Sequence, residues 1–231
     1  MNALSLLDWI GLALWFGLWI GYVWWAARSQ RNLPSLMAAL AKYRRVWMRE
    51  AYLRENRITD VALIGSLAQS ATFFSSTTLL ILGALVALLG TLDESTEVLR
   101  NLPFAARISR DLLEMKAIVM TMVFATAFLR FTWSLRQYNL ANIMVGAYPA
   151  RPEAQRPDDP MIEQASRLNE LAGANFTQGL RTYYFAIPLL LWLVNPWLLL
   201  AGSIAITAAT WFMEFRSATV KALELGRGRE R

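Results

Sequence analysis

The fold of this chain depends on how residues 183–215, which read YYFAIPLLLWLVNPWLLLAGSIAITAATWFMEF, are divided between helices. One helix of this length would measure about 50 Å, whereas the hydrocarbon core of a bilayer is about 30 Å thick. Asn195-Pro196 lies near the middle, and a proline removes a backbone donor and disfavours helix in the residue before it. The stretch therefore predicts a hairpin of two membrane-embedded helices, at about 176–194 and 197–215.

Three more apolar blocks, at about 6–27, 61–90 and 117–135, are each about long enough to cross a bilayer. The chain has 231 residues, of which 56% are hydrophobic and 17% charged, and its mean hydropathy is +0.33. A soluble domain would normally carry more charge. We predict a single domain over 1–231 that is all-α, a polytopic membrane helical bundle with four to five embedded helices and a basic amphipathic cytoplasmic helix.

The basic amphipathic segment is predicted at 33–58, because apolar residues recur there at helical spacing with arginines on the flanks. Two interpretations are open. Either the helix lies on the membrane surface and its arginines contact anionic lipid headgroups, or it is solvated and packs its apolar stripe on protein. The predicted headgroup contacts are Arg44, Arg45 and Arg49. A linker is predicted at 146–160 from its proline, glycine and charged residues.

The distribution of basic residues predicts the orientation in the membrane. Residues 28–60 carry eight lysines and arginines and are expected to be cytoplasmic, which leaves the N-terminus outside. The C-terminal tail is also basic, and the hairpin at Asn195-Pro196 is what brings it to the cytoplasmic side. We expect a multi-pass protein of the cell membrane, in bacteria the inner membrane. The net charge of +6 is explained by this pattern better than by binding of nucleic acid.

Missing residue types restrict the chemistry. The chain has no cysteine and no histidine, which excludes thiol nucleophiles, Ser-His-Asp catalysis and HExxH zinc sites. Neither clustered carboxylates for Mg²⁺ nor a glycine-rich nucleotide motif is present. We therefore predict no enzyme activity, no cofactor and no metal site.

The second apolar block carries a polar stripe, whose members lie within about a third of the helix circumference. They are Ser66, Gln69, Ser70, Ser76 and Thr77. Such a stripe can line an aqueous path, or it can let two membrane helices pack closely. Ser75 and Thr78 point away from it.

Arg130 is the most unusual charge, because it lies among Phe128, Leu129, Phe131 and Trp133 near the end of the third block. It is close enough to the interface to snorkel there within an aromatic belt. Alternatively it belongs to a polar site inside the bundle, since intramembrane charges are functional-site hypotheses by default. The residues that extend this second interpretation are Ser134 and Gln137 on the same helix face, Arg136 on another face, and Arg181 ahead of the last apolar block. Arg57 and Asp60 are predicted to form a surface salt bridge.

Four segments carry a family resemblance: YLRENRITD (52–60), SATFFSSTTLLIL (70–82), FLRFTWSLRQYN (128–139) and NFTQGLRTYYFAIPLLLW (175–192). Together they resemble a bacterial and plant membrane family known as domain of unknown function 599. The resemblance covers nearly the whole chain and implies a helical integral membrane protein. It implies no activity.

Two kinds of function are compatible with these observations. The first is an oligomeric channel or carrier for a small anionic solute, since arginines and hydroxyls without embedded carboxylates favour anions. The second is a non-transporting membrane scaffold or a protein that binds anionic lipid. A membrane enzyme working without histidine is a third. The expected partners are the lipid bilayer, further copies of the chain, and an anionic lipid or small anion.

Overall fold

The computed structural model describes residues 5–29, 35–100, 109–150, 156 and 158–224. The start of the predicted amphipathic segment (33–34) and part of the predicted linker (151–155 and 157) lie outside these residues. Within the described residues every regular element is a helix, so the prediction of an all-α bundle is confirmed. The helices are α1 Leu6–Ser29, α2 Leu36–Leu53, α3 Ile58–Gly90, α4 Leu92–Arg100, α5 Arg110–Gly146, α6 Pro160–Trp192, α7 Pro196–Phe215 and α8 Ala218–Glu224.

Several helices begin at residues whose side chains cap a free backbone N–H. The Ser35 hydroxyl accepts from Ala38 N at 3.2 Å, and the Ser109 hydroxyl accepts from Leu112 N at 3.3 Å. The Asn195 amide oxygen accepts from Trp197 N at 2.9 Å, with Pro196 in the first turn of α7. Asn195 and Pro196 therefore start a new helix, which runs antiparallel to α6.

Four helical stretches are long and apolar enough to cross a membrane: Leu6–Ser29, Ile58–Gly90, Arg110–Gly146 and Pro196–Leu223, the last of which runs from α7 into α8. The chain is therefore built as a multi-pass membrane protein. The fifth long helix, α6, packs between α5 and α7 and makes its most extensive contact with α5. Its first half is polar, which keeps it out of the set of four.

The helices form two layers, because three of them exceed the thickness of a bilayer. α3 has 33 residues, α5 has 37 and α6 has 33, so each is about 50 Å long or more. α5 and α6 extend well past the predicted embedded segments 117–135 and 176–194. Their extra turns pack against α2 in a second layer beyond the apolar blocks of α5 and α6, which we call the extramembrane layer and which apolar block length alone does not reveal.

Each layer has its own hydrophobic core. The membrane core is made by α1, α3, α5, α6 and α7, with fully buried Trp15, Phe185 and Trp192 among its members. The extramembrane core is made by α2, α3, α5 and α6 and includes Met48, Tyr52, Ile64 and Tyr138. The same α3, α5 and α6 take part in both cores.

The amphipathic helix α2 packs on protein. Met48, Ala51 and Tyr52 are completely buried, and the Tyr52 hydroxyl donates to the Asp159 carboxylate at 2.9 Å. Of the two interpretations of this segment, the structure agrees with the one in which its apolar stripe packs on protein. Tyr43 and Val46 on its other side are about half exposed.

The loop between α2 and α3 is fixed by two polar residues that do not pair with each other. Asp60 is completely buried and accepts from Arg54 at 2.6 Å and from the Trp47 indole at 2.7 Å. Arg57 donates instead to four backbone carbonyls, at Ala51, Tyr52, Tyr148 and Pro149. The predicted Arg57–Asp60 surface salt bridge is wrong, because the helix start turns the two side chains toward different partners.

α1, α5 and α7 run in the same direction and antiparallel to α3 and α6. The Trp15 indole donates to the Phe185 carbonyl at 2.7 Å, and Lys116 Nζ donates to the Trp192 carbonyl at 2.6 Å. Arginines lie over tryptophan rings toward the same end of these three helices. The pairs are Arg28 over Trp24, Arg136 over Trp133 and Arg216 over Trp211. We call this the arginine-rich end of the bundle.

Candidate functional site

A polar seam joins α5 and α6 near the arginine-rich end. The Ser134 hydroxyl donates to the Ala172 carbonyl at 2.8 Å. The Asn175 amide donates to Gln137 Oε1 at 2.8 Å and accepts from Arg130 Nη1 at 3.1 Å. Asn175 thus links Arg130 to Gln137. Three residues singled out in the sequence, Arg130, Ser134 and Gln137, are gathered along this seam.

Glycines allow the close approach along α6. A Cβ atom at Gly179 would collide with the Phe131 ring, and one at Gly173 would collide with the Arg44 guanidinium. Phe131 is completely buried and stacks on Phe74 of α3 with ring centroids 5.3 Å apart. The lack of side chains at these two glycines therefore holds α6 tightly against α5 and α2.

A groove of about 400 Å³ lies between α1 and α5, with α6 as its floor. It exists because α1 packs on α7 rather than on α5. The α1 wall is apolar, and α5 and α6 contribute polar groups. The lining residues are Trp19, Ile20, Val23, Trp24 and Ala27 from α1, Thr126 and Arg130 from α5, and Gln178 and Thr182 from α6.

Arg130 brings an uncompensated positive charge to this groove. Its side chain is exposed, and its hydrogen bond goes to the neutral amide of Asn175. Among the described residues, none of the ion pairs involves Arg130. A guanidinium in this position can bind a carboxylate or phosphate through two parallel N–H donors.

Arg181 has a different role from the one predicted. It is 3% exposed and binds Glu214 of α7 with two contacts, Nε–Oε1 and Nη2–Oε2, each 2.6 Å long. The Tyr22 hydroxyl donates to the same carboxylate at 3.0 Å. Glu214 therefore neutralises Arg181 inside the bundle, so this guanidinium is not free to attract an anion to a cytoplasmic mouth.

The α3 stripe faces outward. Ser66, Gln69, Ser70 and Ser76 are exposed and Thr77 is half-buried, whereas Ser75 and Thr78 are buried and Thr78 bonds the Tyr183 hydroxyl at 2.7 Å. Ser70 donates to the Ser66 carbonyl and Thr77 to the Phe73 carbonyl. Because these hydroxyls bond to their own helix, they need no partner inside the bundle. The described residues of a single chain do not enclose the stripe.

The three predicted headgroup arginines divide into two groups. Arg49 is exposed, and Arg45 is also exposed and lies 3.6 Å from Glu170 Oε1. Arg44 instead turns inward, so that its guanidinium rests on Gly173. The prediction that Arg44 contacts headgroups is corrected by this packing. Arg136, the remaining candidate, is exposed and covers the Trp133 ring.

Three polar residues of α5 and α6, Asn142, Ser166 and Asn169, were not included among the sequence candidates. Ser166 and Asn169 are completely buried and Asn142 is half-buried. The sequence does contain a signal for them, because polar residues recur on one face of each helix. Asn142 comes one turn after Tyr138 on α5, and Asn169 comes one turn after Ser166 on α6. Their juxtaposition depends on how α5 and α6 are aligned.

Comparisons with known proteins address the family and not the activity. Curated proteins and solved structures give no match to this chain. The family model described as "Protein of unknown function, DUF599" matches residues 10–219. With that match over most of its 231 residues, this multi-helix chain belongs to the DUF599 family.

Proposed function

We propose that this protein binds an anionic amphiphile taken up sideways from the bilayer. The anionic head would pair with Arg130, and the apolar chain would lie against the α1 wall at Trp19, Ile20 and Val23. The observation that carries this proposal is the uncompensated charge of Arg130 in a groove with one apolar wall. The proposal involves binding without catalysis.

The depth of Arg130 supports this function. The Arg–Trp pairs have the composition of a membrane interface, where aromatic rings and basic residues gather. Arg130 lies six residues before Arg136 on α5, which is about 9 Å further into the apolar layer. A charge at that depth favours a counter-ion, and the anionic head of an amphiphile supplies one with its own apolar chain attached.

The proposed orientation puts the arginine-rich end in the cytoplasm. The positive-inside tendency favours it, with the N-terminus outside and the C-terminus cytoplasmic in a cell membrane. The groove would then open to the cytoplasmic leaflet, which carries anionic lipids. Orientation and ligand class thus support each other.

Native mass spectrometry and lipid titration of the purified protein test the proposal. The probes are phosphatidylglycerol, oleate, zwitterionic phosphatidylcholine and inorganic phosphate. We expect phosphatidylglycerol or oleate to bind more tightly than phosphatidylcholine, and Arg130→Gln to weaken that binding by about tenfold. Arg136→Gln is the matched control, because it removes an exposed arginine from the same helix outside the groove.

The probes also distinguish the two sources of the anionic head. Preference for phosphatidylglycerol identifies a phospholipid, and preference for oleate identifies a free fatty acid. Equal loss of binding in Arg130→Gln and Arg136→Gln would reject the groove, because general attraction of lipid to surface charge would explain it. Binding of inorganic phosphate as tight as that of the lipids would replace the amphiphile with a small anion.

A second candidate function is an anion path in an oligomer of this chain. It is favoured by the outward polar face of α3, which becomes enclosed only when copies pack around it. A Ser70→Cys variant would label from water and cross-link between copies if this face lines a path, since the chain has no other cysteine. Absence of both cross-linking and anion flux in liposomes would remove this candidate.

A further inference from the structure

Buried side-chain atoms without a hydrogen-bond partner are concentrated between α2, α5 and α6. Six of the eight such atoms among the described residues belong to these helices: Arg44 Nη1, Asn142 Oδ1, Ser166 Oγ, both amide atoms of Asn169, and Glu170 Oε1; the other two are Asp60 Oδ2 and Tyr148 Oη. Ser166 and Asn169 are completely buried. Folded proteins rarely leave such groups unsatisfied, so a cluster of them indicates that something else occupies the space.

The alignment of α5 and α6 brings these residues together. The Lys116–Trp192 and Ser134–Ala172 bonds fix the two helices in antiparallel register. One turn beyond Ser134 this register sets Tyr138 near Asn169, and two turns beyond it sets Asn142 near Ser166. The Arg44 guanidinium enters from α2 against Gly173, which is one turn after Asn169 on α6.

An opening leads from the surface to two members of this cluster, Arg44 and Glu170. A cleft of about 380 Å³ lies between α2 and α6, and Arg44 and Glu170 are both part of its lining. Ala38, Ala41 and Ala174 supply much of the remaining wall, so small side chains keep the passage wide. A solute of a few heavy atoms can therefore reach Arg44 and Glu170 from water, and Asn169 directly precedes Glu170 on α6.

The charges of the cluster favour an anion. Glu170 has two basic neighbours, with Arg45 at 3.6 Å and Arg167 at 3.4 Å. Arg44 forms no ion pair with any carboxylate of the described residues. The positive charge left over at the buried end of the cleft is therefore that of Arg44.

The hydrogen-bonding groups restrict the ligand further. Arg44 and the Asn169 amide nitrogen are donors, Ser166 is both donor and acceptor, and the Asn142 and Asn169 oxygens are acceptors. An anion with acceptor oxygens alone would leave those two amide oxygens unsatisfied. A ligand that carries both an anionic group and an O–H or N–H donor satisfies both kinds of group.

We propose that Arg44, Asn142, Ser166 and Asn169 form a binding site for a small organic anion of the hydroxy-acid or amino-acid class. Its carboxylate pairs with Arg44 and the Asn169 amide nitrogen, and its hydroxyl or amino group donates to the asparagine oxygens. The site is separate from the Arg130 groove and lies in the extramembrane layer. It binds a water-soluble solute, and this binding does not depend on which lipid occupies the Arg130 groove.

Calorimetric titration and thermal unfolding of the purified full chain test this site with three probes: L-malate, L-aspartate and inorganic phosphate. We expect malate or aspartate to bind saturably and raise Tm, and phosphate to bind more weakly. Arg44→Gln should weaken binding of malate or aspartate by about tenfold or more, because it removes a charge-assisted hydrogen bond. Arg45 is an exposed neighbour of Arg44, and the control variant Arg45→Gln should change the binding of malate or aspartate far less.

Two asparagines on α6 give a second matched pair. Asn169→Leu removes two unpartnered buried atoms, so the variant should unfold at the same or a higher Tm without solute and should lose the malate or aspartate response. Asn175→Leu removes the bonds to Gln137 and Arg130, so its Tm should fall while the response to solute persists. Arg130→Gln should leave this response unchanged, which separates failure of this site from failure of the groove.

Two results would overturn the proposal. The first is that none of the three probes raises the Tm of the wild-type chain, with ordered water alone bonded to Asn169 and Ser166 in a high-resolution structure. The second is that Asn169→Leu unfolds at a lower Tm and still responds to malate or aspartate as the wild type does. Either result would mean that buried water, and not a solute, satisfies the cluster.

Discussion

Arg181 and Glu214 form an ion pair with both contacts 2.6 Å long, and this pair ties α6 to α7 within the membrane core. Glu214 is also the acceptor for the Tyr22 hydroxyl of α1. One carboxylate therefore joins three helices whose other contacts are mainly apolar.

Breaking this pair should destabilise the protein more than removing it. Arg181→Met leaves the Glu214 charge buried without a partner, and we expect a loss of about 3–5 kcal/mol in the free energy of unfolding. The double variant Arg181→Met with Glu214→Met should recover much of that loss. Thermal or chemical unfolding in one detergent measures both variants. A double variant as unstable as the single one would contradict this explanation.

Close packing at Gly179 should make even one added methyl group costly. Gly179→Ala drives a Cβ into the buried Phe131 ring, and we expect a loss of about 1–3 kcal/mol. Gly65→Ala is the matched control, because no atom of the described residues lies within 4 Å of a Cβ there. The control should be neutral or slightly stabilising, since alanine favours helix over glycine. Equal Tm values for the two variants would show that α6 can shift freely on α5.

Arg57 should act as a structural link between the end of α2 and the residues that follow α5. Arg57→Ala leaves four backbone carbonyls without their donor, and we expect a loss of about 2–3 kcal/mol. Arg57→Lys should recover only part of it, because an ammonium lacks the planar fork of donors. The exposed Arg49→Ala serves as the control. The measurement is the unfolding midpoint of each variant. If Arg57→Lys had the same midpoint as the wild type, the charge of Arg57 alone would explain its role.

Asp159 should make stability depend on pH in the acid range. Two donors hold the pKa of the Asp159 carboxylate below the ordinary value of 3.8. The Met161 N–H has the largest effect and the Tyr52 hydroxyl the second largest. Because the folded pKa is the lower one, the stabilisation is fully present above pH 3.8 and is lost as the pH falls through the folded pKa.

The variant Asp159→Asn should therefore show a flatter loss of Tm below about pH 4 than the wild type. Asp158 is the exposed neighbour of Asp159, and Asp158→Asn is the control that should keep the wild-type dependence of Tm on pH. A series of thermal scans between neutral and acid pH measures the difference. Parallel profiles for the wild type and Asp159→Asn would show that the α6 cap does not contribute to acid unfolding.

Apolar block length and basic flanks were enough to predict the membrane bundle. The break at Asn195-Pro196 could be read from proline chemistry, because the constraint is local to two residues. The ends of α5 and α6 could not be read in the same way. Beyond Leu135 polar residues are interspersed with apolar ones, and Tyr138 and Val145 of this stretch pack in one core with Tyr52 of α2.

The direction in which polar side chains face was harder to predict. Ser70 and Thr77 bond to carbonyls of their own helix, so their polarity places no requirement on a neighbour. Thr78, only one residue further, bonds across to Tyr183. Likewise, the sequence places Arg44 on a basic flank, and its inward turn depends on the absence of a side chain at Gly173, far away in the chain.

The continuity of α3, α5 and α6 through both hydrophobic cores has a practical consequence. No contiguous stretch of the described residues carries the whole core around Tyr52 and Tyr138, so that half cannot be excised and produced as a separate fragment. Ligand measurements on Asn169 require the intact protein in detergent or lipid, and heating should melt both halves in one cooperative step.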